Sequence, residues 1–139
     1  MITGTIVLMN VIADTNTFLA VALKEPERTG IIKLTDGCKL SAPSILPYEI
    51  GNALSSLVKR KVVTFKQLSA VWDAVASIPV ELRSIDIRTA LLLAGYYKIY
   101  AYDAYFLQCA IETRLPLLTL DKGMKHVARK LDIKLLELP

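Results

Sequence analysis

Apolar and polar positions alternate in blocks along this chain, and the blocks switch between the two regular periodicities. Thr5 to Ala13 is an almost unbroken apolar run, the pattern of a strand buried on both faces. Asp14-Thr15-Asn16 then caps a short helix with Phe18, Leu19, Ala22 and Leu23 on its apolar face, and Pro26 follows its end. Glu27 to Leu34 reads as helix, Asp36-Gly37 as a turn and Lys39 to Ala42 as a short strand. A longer helix begins at Pro43-Ser44, with Ser44 as N-cap and Pro47 in the first turn. Its stripe is Ile50, Ala53, Leu54, Leu57 and Val58, and Glu49 and Asn52 share a face at the stripe's edge.

The second half repeats the alternation. A helix over Phe65 to Ser77 precedes a strand over Val80 to Ile85. Asp86 caps a helix through Ala94 that Gly95 closes, and Tyr102 to Thr113 forms another. A strand over Leu117 to Leu120, a helix over Lys122 to Lys130 and a last strand over Ile133 to Leu138 complete the chain. Strands alternating with helices predict an α/β fold: a three-layer α/β/α sandwich around a central parallel sheet of about four or five strands. No repeat, low-complexity tract or long linker divides the chain, so residues 1–139 read as one domain.

This frame sends four acids to equivalent places. Asp14 ends the first apolar run and Asp121 follows Leu117-Leu118-Thr119-Leu120, while Glu49 and Asp103 each stand early in a helix. Carboxylates at strand ends and helix starts converge on one edge of a parallel sheet. Such a group repels itself unless a divalent cation is present, and oxygen donors alone suit Mg²⁺ or Mn²⁺. Each acid also has a plainer role: Asp14 or Asp103 as a helix cap, Glu49 on a solvated helix face, Asp121 in a turn. Their coincidence at one edge favours the site. Asp36, Asp73, Asp86 and Asp132 read as turn, helix-face, cap and loop residues, and Glu112 as solvent-exposed on the face opposite Asp103.

Composition narrows the chemistry. The apolar fraction is 53%, enough to fill an α/β core and to leave apolar surface for a partner. Charged residues interrupt the apolar stretches before they reach a membrane span, and no basic leader precedes them, so a cytoplasmic location is expected. Cys38 and Cys109 fit no metal-ligand spacing and read as reduced, structural thiols. The sole histidine, His126, has no nucleophile placed beside it, and no glycine-rich phosphate loop is present. Net charge is +4, and with the four acids set aside the remainder carries +8: an acidic pocket in a basic surface, suited to an anionic polymer. Tyr96, Tyr97, Tyr100, Tyr102 and Tyr105 form a cluster that reads as core or dimer packing ahead of a nucleotide-stacking platform.

Four stretches of sequence carry a family resemblance. Val11-Ile12-Ala13-Asp14-Thr15-Asn16, Pro47-Tyr48-Glu49-Ile50-Gly51-Asn52-Ala53-Leu54, Tyr102-Asp103-Ala104-Tyr105-Phe106 and Leu118-Thr119-Leu120-Asp121-Lys122 resemble, in order and separation, the PIN domain. The resemblance is closest to the VapC type, the ribonuclease toxins of toxin–antitoxin pairs. It implies a Mg²⁺- or Mn²⁺-dependent endoribonuclease acting through metal-activated water and leaving 5′-phosphate and 3′-hydroxyl ends. Asp14 and Asp103 match the principal metal ligands, and Glu49 and Asp121 the acids that complete the pocket. Asn16 and Thr119 match supporting polar positions, and Lys122 a position that could meet phosphate. The resemblance also implies RNA as substrate, a homodimer and a small antitoxin protein as partner. Alternatives are a PIN nuclease that matures RNA without a toxin role, and a PIN fold that binds RNA without cleaving it. A receiver-like signalling domain is a third, although Ala13-Asp14 and Ser84-Ile85-Asp86 fit its acid pattern poorly.

Overall fold

The computed structural model describes residues 9–139. Four parallel strands form the centre: β1 (Asn10–Ala13), β2 (Lys39–Pro43), β3 (Glu81–Arg83) and β4 (Leu117–Leu118), in the order β3-β2-β1-β4. Among the described residues seven helices surround them: α1 (Thr15–Ala22), α2 (Arg28–Leu34), α3 (Leu46–Lys59), α4 (Phe65–Ala76), α5 (Ile87–Tyr97), α6 (Ala101–Thr113) and α7 (Lys122–Lys130).

Side chains of successive strand residues point to opposite faces, so a sheet covered on both sides needs apolar residues at every position. β1 meets that demand. Ile12 belongs to the larger apolar cluster with Phe18, Ile50, Leu54, Phe106 and Leu107, whereas Val11 belongs to a second cluster with Ala20, Ile31 and Leu118. In β4, Leu117 and Leu118 divide between the same two clusters. The α/β/α layering predicted from the alternating blocks is therefore present.

Several boundaries differ from the pattern-based reading. Residues 5–8 of the first apolar run lie outside the described residues. The third helix starts later than Pro43-Ser44, because β2 runs through Pro43 and the Ser44 N–H donates to the Arg83 carbonyl, 2.8 Å away. Ile45 occupies the cap position without a side-chain hydrogen bond, so Ser44 is not the N-cap. Gly95 does not close α5. The helix passes through it to Tyr97, and Lys98 makes the left-handed turn at φ 57°. α4 opens with a capping box in which Thr64 and Gln67 satisfy each other's backbone N–H groups.

The strands after Val80 and Leu117 are shorter than the apolar runs that predict them. The run over Ile133 to Leu138 makes one bridge, Leu135 with Leu117, held by Leu117 N–H to Lys134 O and Leu136 N–H to Leu117 O, both 2.9 Å. That segment is an extended tail beside β4 and not a strand. Cys38 and Cys109 are free thiols, and burial pushes the Cys109 thiol up to about 11, in keeping with a structural role. No helix among the described residues is long and apolar enough to cross a membrane.

Phe106 is 1% exposed and lies one turn beyond Asp103 on α6, where it joins that helix to the main core. Phe106→Ala is expected to cost about 3–5 kcal/mol, read as a lower midpoint in urea unfolding.

Candidate active site

The order β3-β2-β1-β4 puts consecutive strands on one side of β1 and the last strand on the other. The carboxyl ends of β1 and β4 thus flank the point where the sheet's order reverses, where α/β sheets offer a crevice. Asp14 follows β1 and is 4% exposed. It caps α1 through Oδ1, which accepts from the Thr17 backbone N–H at 3.1 Å and the Thr17 hydroxyl at 2.6 Å. Its Oδ2 accepts from the Thr119 hydroxyl. That hydroxyl oxygen in turn accepts from the Asp121 N–H at 3.1 Å. One threonine between β4 and α7 therefore ties the first acid to the loop carrying the last.

Asp121 is exposed and caps α7, its Oδ1 accepting from Gly123 N–H at 2.7 Å and Met124 N–H at 3.3 Å. A Cβ on Gly123 would stand 3.2 Å from that oxygen, so the tight cap favours glycine there. Asp103 and Glu49 lie in the first turns of α6 and α3, where free backbone N–H groups favour negative charge. Asp103 is not a cap; Tyr100 holds that position.

The four acids feel one another. Burial raises the Asp14 carboxyl above the ordinary carboxylate range; hydrogen bonds from Thr119 and Thr17 offset part of this, and Asp121 adds repulsion. Burial also raises Glu49, and repulsion from Asp103 and Asp14 adds to it. The nearby Thr15 hydroxyl offsets part of the rise without a hydrogen bond of good geometry, and both Thr15 Oγ1 and Glu49 Oε2 are buried without a partner. Asp103 is raised first by burial, then by Asp121 and Asp14. Against this, no lysine or arginine among the described residues pairs with any of the four. The ion pairs among the described residues are Arg83–Glu81, Lys125–Glu137 and Arg129–Glu137.

As the side chains stand, no three His, Cys, Asp or Glu residues among the described residues form a closed cage for an ion. Asp14 is turned toward Thr17 and Thr119, and Asp121 toward its own helix. The donor set nevertheless fits a hard divalent cation: oxygen donors only, no compensating base, and a buried Glu49 oxygen with nothing to accept from.

The supporting residues divide. Thr119 is buried and bonded as described, whereas Asn16 is exposed and lines, with Asn52 and Arg60, a cleft of about 570 Å³ beside α1 and α3. Lys122 and His126 are exposed on α7. The sequence reading missed Thr17, which donates twice to Asp14. Its signal was its position three residues after the capping Asp14, where an N-cap side chain meets its backbone partner. Asp86 caps α5 as expected. Glu112 is exposed and fastens α6 to α5, accepting from Asp86 N–H at 3.0 Å.

The raised carboxyls fix the sign of a pH effect. Each binds protons more tightly in the folded than in the unfolded chain, so stability of the metal-free protein falls as pH rises from about 4, the unfolded carboxylate value, through the raised folded values. Above them the loss is complete. Asp103→Asn is expected to raise Tm of the metal-free protein at pH 7.5 by a few degrees, and the gain should vanish by about pH 4. Thermal melts across that range, in EDTA, measure it.

Among curated proteins, none has a sequence that matches this chain's. Solved structures do resemble it. PAE2754 from Pyrobaculum aerophilum is 21% identical with a TM-score of 0.66, over 87% of each chain. VapBC2 from Rickettsia felis, solved bound to a DNA fragment from its promoter, is 17% identical with a TM-score of 0.65, over 94% of this chain and 100% of that one. FitAcB from Neisseria gonorrhoeae is 19% identical with a TM-score of 0.57, over 91% and 96%. At such identities the likeness speaks for the fold. The family model for the PIN domain matches residues 11–130, from β1 through α7, and the chain belongs to the PIN-domain family.

Proposed function

We propose that this chain is a divalent-metal-dependent endoribonuclease and the toxin of a toxin–antitoxin pair. The observation that carries the reading is the group Asp14, Glu49, Asp103 and Asp121 at the sheet's switch point, mutually repelling and without a basic partner. Membership of a family of nucleases supports the reaction class and sets aside the receiver-like alternative. Fold-level likeness to VapBC2 and FitAcB supports the toxin context.

In this reading the four acids hold Mg²⁺ or Mn²⁺, Asp14 and Asp103 as principal ligands. The ion, when bound, supplies charge neutralisation at the phosphate and a more acidic water. Thr17 and Thr119 fix the Asp14 carboxylate, the kind of outer support that orients a metal ligand. Glu49, whose Oε2 has no hydrogen-bond partner, accepts a proton from the water that attacks phosphorus. The bond from phosphorus to the 3′ oxygen breaks, and that oxygen takes a proton from solvent, leaving 5′-phosphate and 3′-hydroxyl ends. Lys122, exposed beside Asp121, meets a flanking phosphate.

The same reading takes residues 1–139 as one nuclease domain in the cytoplasm, paired as a homodimer and inhibited by a small antitoxin protein. Ile87, Leu91, Leu92 and Tyr96 stand out from α5 into solvent and offer a self-association surface.

Purified protein and a mixed tRNA and rRNA pool test the chemistry. Cleavage is expected with Mg²⁺ or Mn²⁺, and Asp14→Asn and Asp103→Asn should fall to the level of the EDTA control. Intact RNA under every metal condition, together with no calorimetric metal binding, would remove the nuclease reading. Thr119→Val should keep the fold and lower activity or metal affinity by about 10–100-fold, measured by steady-state rates and metal titration.

A further inference from the structure

The two helices that supply Glu49 and Asp103 also carry aromatic rings. On α3, Tyr48 immediately precedes Glu49; on α6, Tyr102 and Tyr105 flank Asp103, with their ring centroids 6.0 Å apart, edge to face. Tyr48 is 77% exposed. Tyr48 and Tyr105 line one cavity of about 270 Å³, together with Ile45, Ile85 and the exposed Ser44 and Ser84. Its size falls just under the range of about 300–1,000 Å³ for sites of drug-sized ligands, so it suits one small planar group. No lysine or arginine lines it, which argues against a phosphate and for an uncharged heterocycle.

Its place in the fold names the heterocycle. Ser44 follows β2 and Ser84 follows β3, so the cavity opens on the same carboxyl edge that carries the acids at β1 and β4. Neighbouring strands lie about 4.8 Å apart, which puts the cavity roughly 5–10 Å along that edge from the acids. A base next to a phosphodiester held at the acids is within reach of that separation. Of the exposed α5 residues, Leu91, Leu92 and Tyr96 do not line the cavity, whereas Ile87 stands at its rim.

We propose that this cavity is a nucleobase subsite of the nuclease described above, on which reading the inference rests. It takes the base beside the cleaved phosphodiester, stacked on Tyr48, with Tyr105 bounding the cavity and the Ser44 and Ser84 hydroxyls available to the base's polar edge. Stacking is tolerant of base identity, while the hydroxyls and the limited volume select among bases at that one position.

Cut sites in a randomised RNA pool, sequenced after limited digestion by the full chain, provide the test. Tyr48→Ala should lower kcat/KM by roughly 5- to 150-fold and flatten base preference at a single position beside the cut. Tyr48→Phe, which keeps the ring, should retain both. An unchanged cut profile in Tyr48→Ala would overturn the subsite and leave the nuclease standing. So would loss of the dimer by size-exclusion chromatography with base preference intact, which would assign the ring to a contact between copies. If the wild-type chain cuts no RNA and binds no metal, the nuclease reading fails by itself. Fluorescence anisotropy of a labelled oligoribonucleotide then decides the subsite: weaker binding by Tyr48→Ala but not Tyr48→Phe supports it, and equal binding by all three overturns it.

Discussion

The pairing of β1 with β4 is the constraint on which the site depends, because it joins segments about a hundred residues apart. The ladder itself is short: Ile12 lies opposite Leu117 and Ala13 opposite Leu118. Beyond it the Asp14 N–H donates to the Leu118 carbonyl at 3.3 Å, and the Thr119 hydroxyl reaches back to the Asp14 carboxylate. These contacts place a buried carboxylate beside others with no lysine or arginine among the described residues paired to it, and burying an unpaired charge in an apolar interior costs several kcal/mol per ion. The cores on both faces, filled from β1 and β4 alike, offset that cost. The site is therefore carried by the fold around it.

Much of this was legible in the sequence because burial on both faces writes itself as apolar runs, and the run that holds β1 meets Asp14 directly while the one that holds β4 meets Asp121 three residues on. Asp14, Glu49, Asp103 and Asp121 were legible from their positions at strand ends and helix starts, and the repulsion that links them in the structure agrees with that placement. Thr17 was not, since a threonine inside an amphipathic helix looks like any other small residue until its backbone N–H and hydroxyl are seen on the same carboxylate oxygen.

The boundaries failed where a residue's local preference met a tertiary demand. Ser44 is a good N-cap by composition, yet its N–H is committed to the Arg83 carbonyl, and the helix waits for Leu46. Gly95 would stop an isolated helix, but packing of α5 against α6 carries the helix two residues further and leaves Lys98 to take the left-handed conformation. The tail after Ile133 has the composition of a strand and β4 offers it a neighbour, yet it pairs only at Leu135 with Leu117.

That tail has a further consequence. Parallel sheets leave a row of unpaired backbone groups at each lateral edge, which other chains can join to form aggregates. Lys134 and Leu136 satisfy both backbone groups of Leu117, so the outer side of β4 is already spoken for. The opposite edge is β3, three residues long and flanked by the charges of Glu81 and Arg83 around the exposed Leu82. A chain rich enough in apolar residues to invite association thus shields one border of its sheet with its own C-terminal segment and keeps the other short and charged.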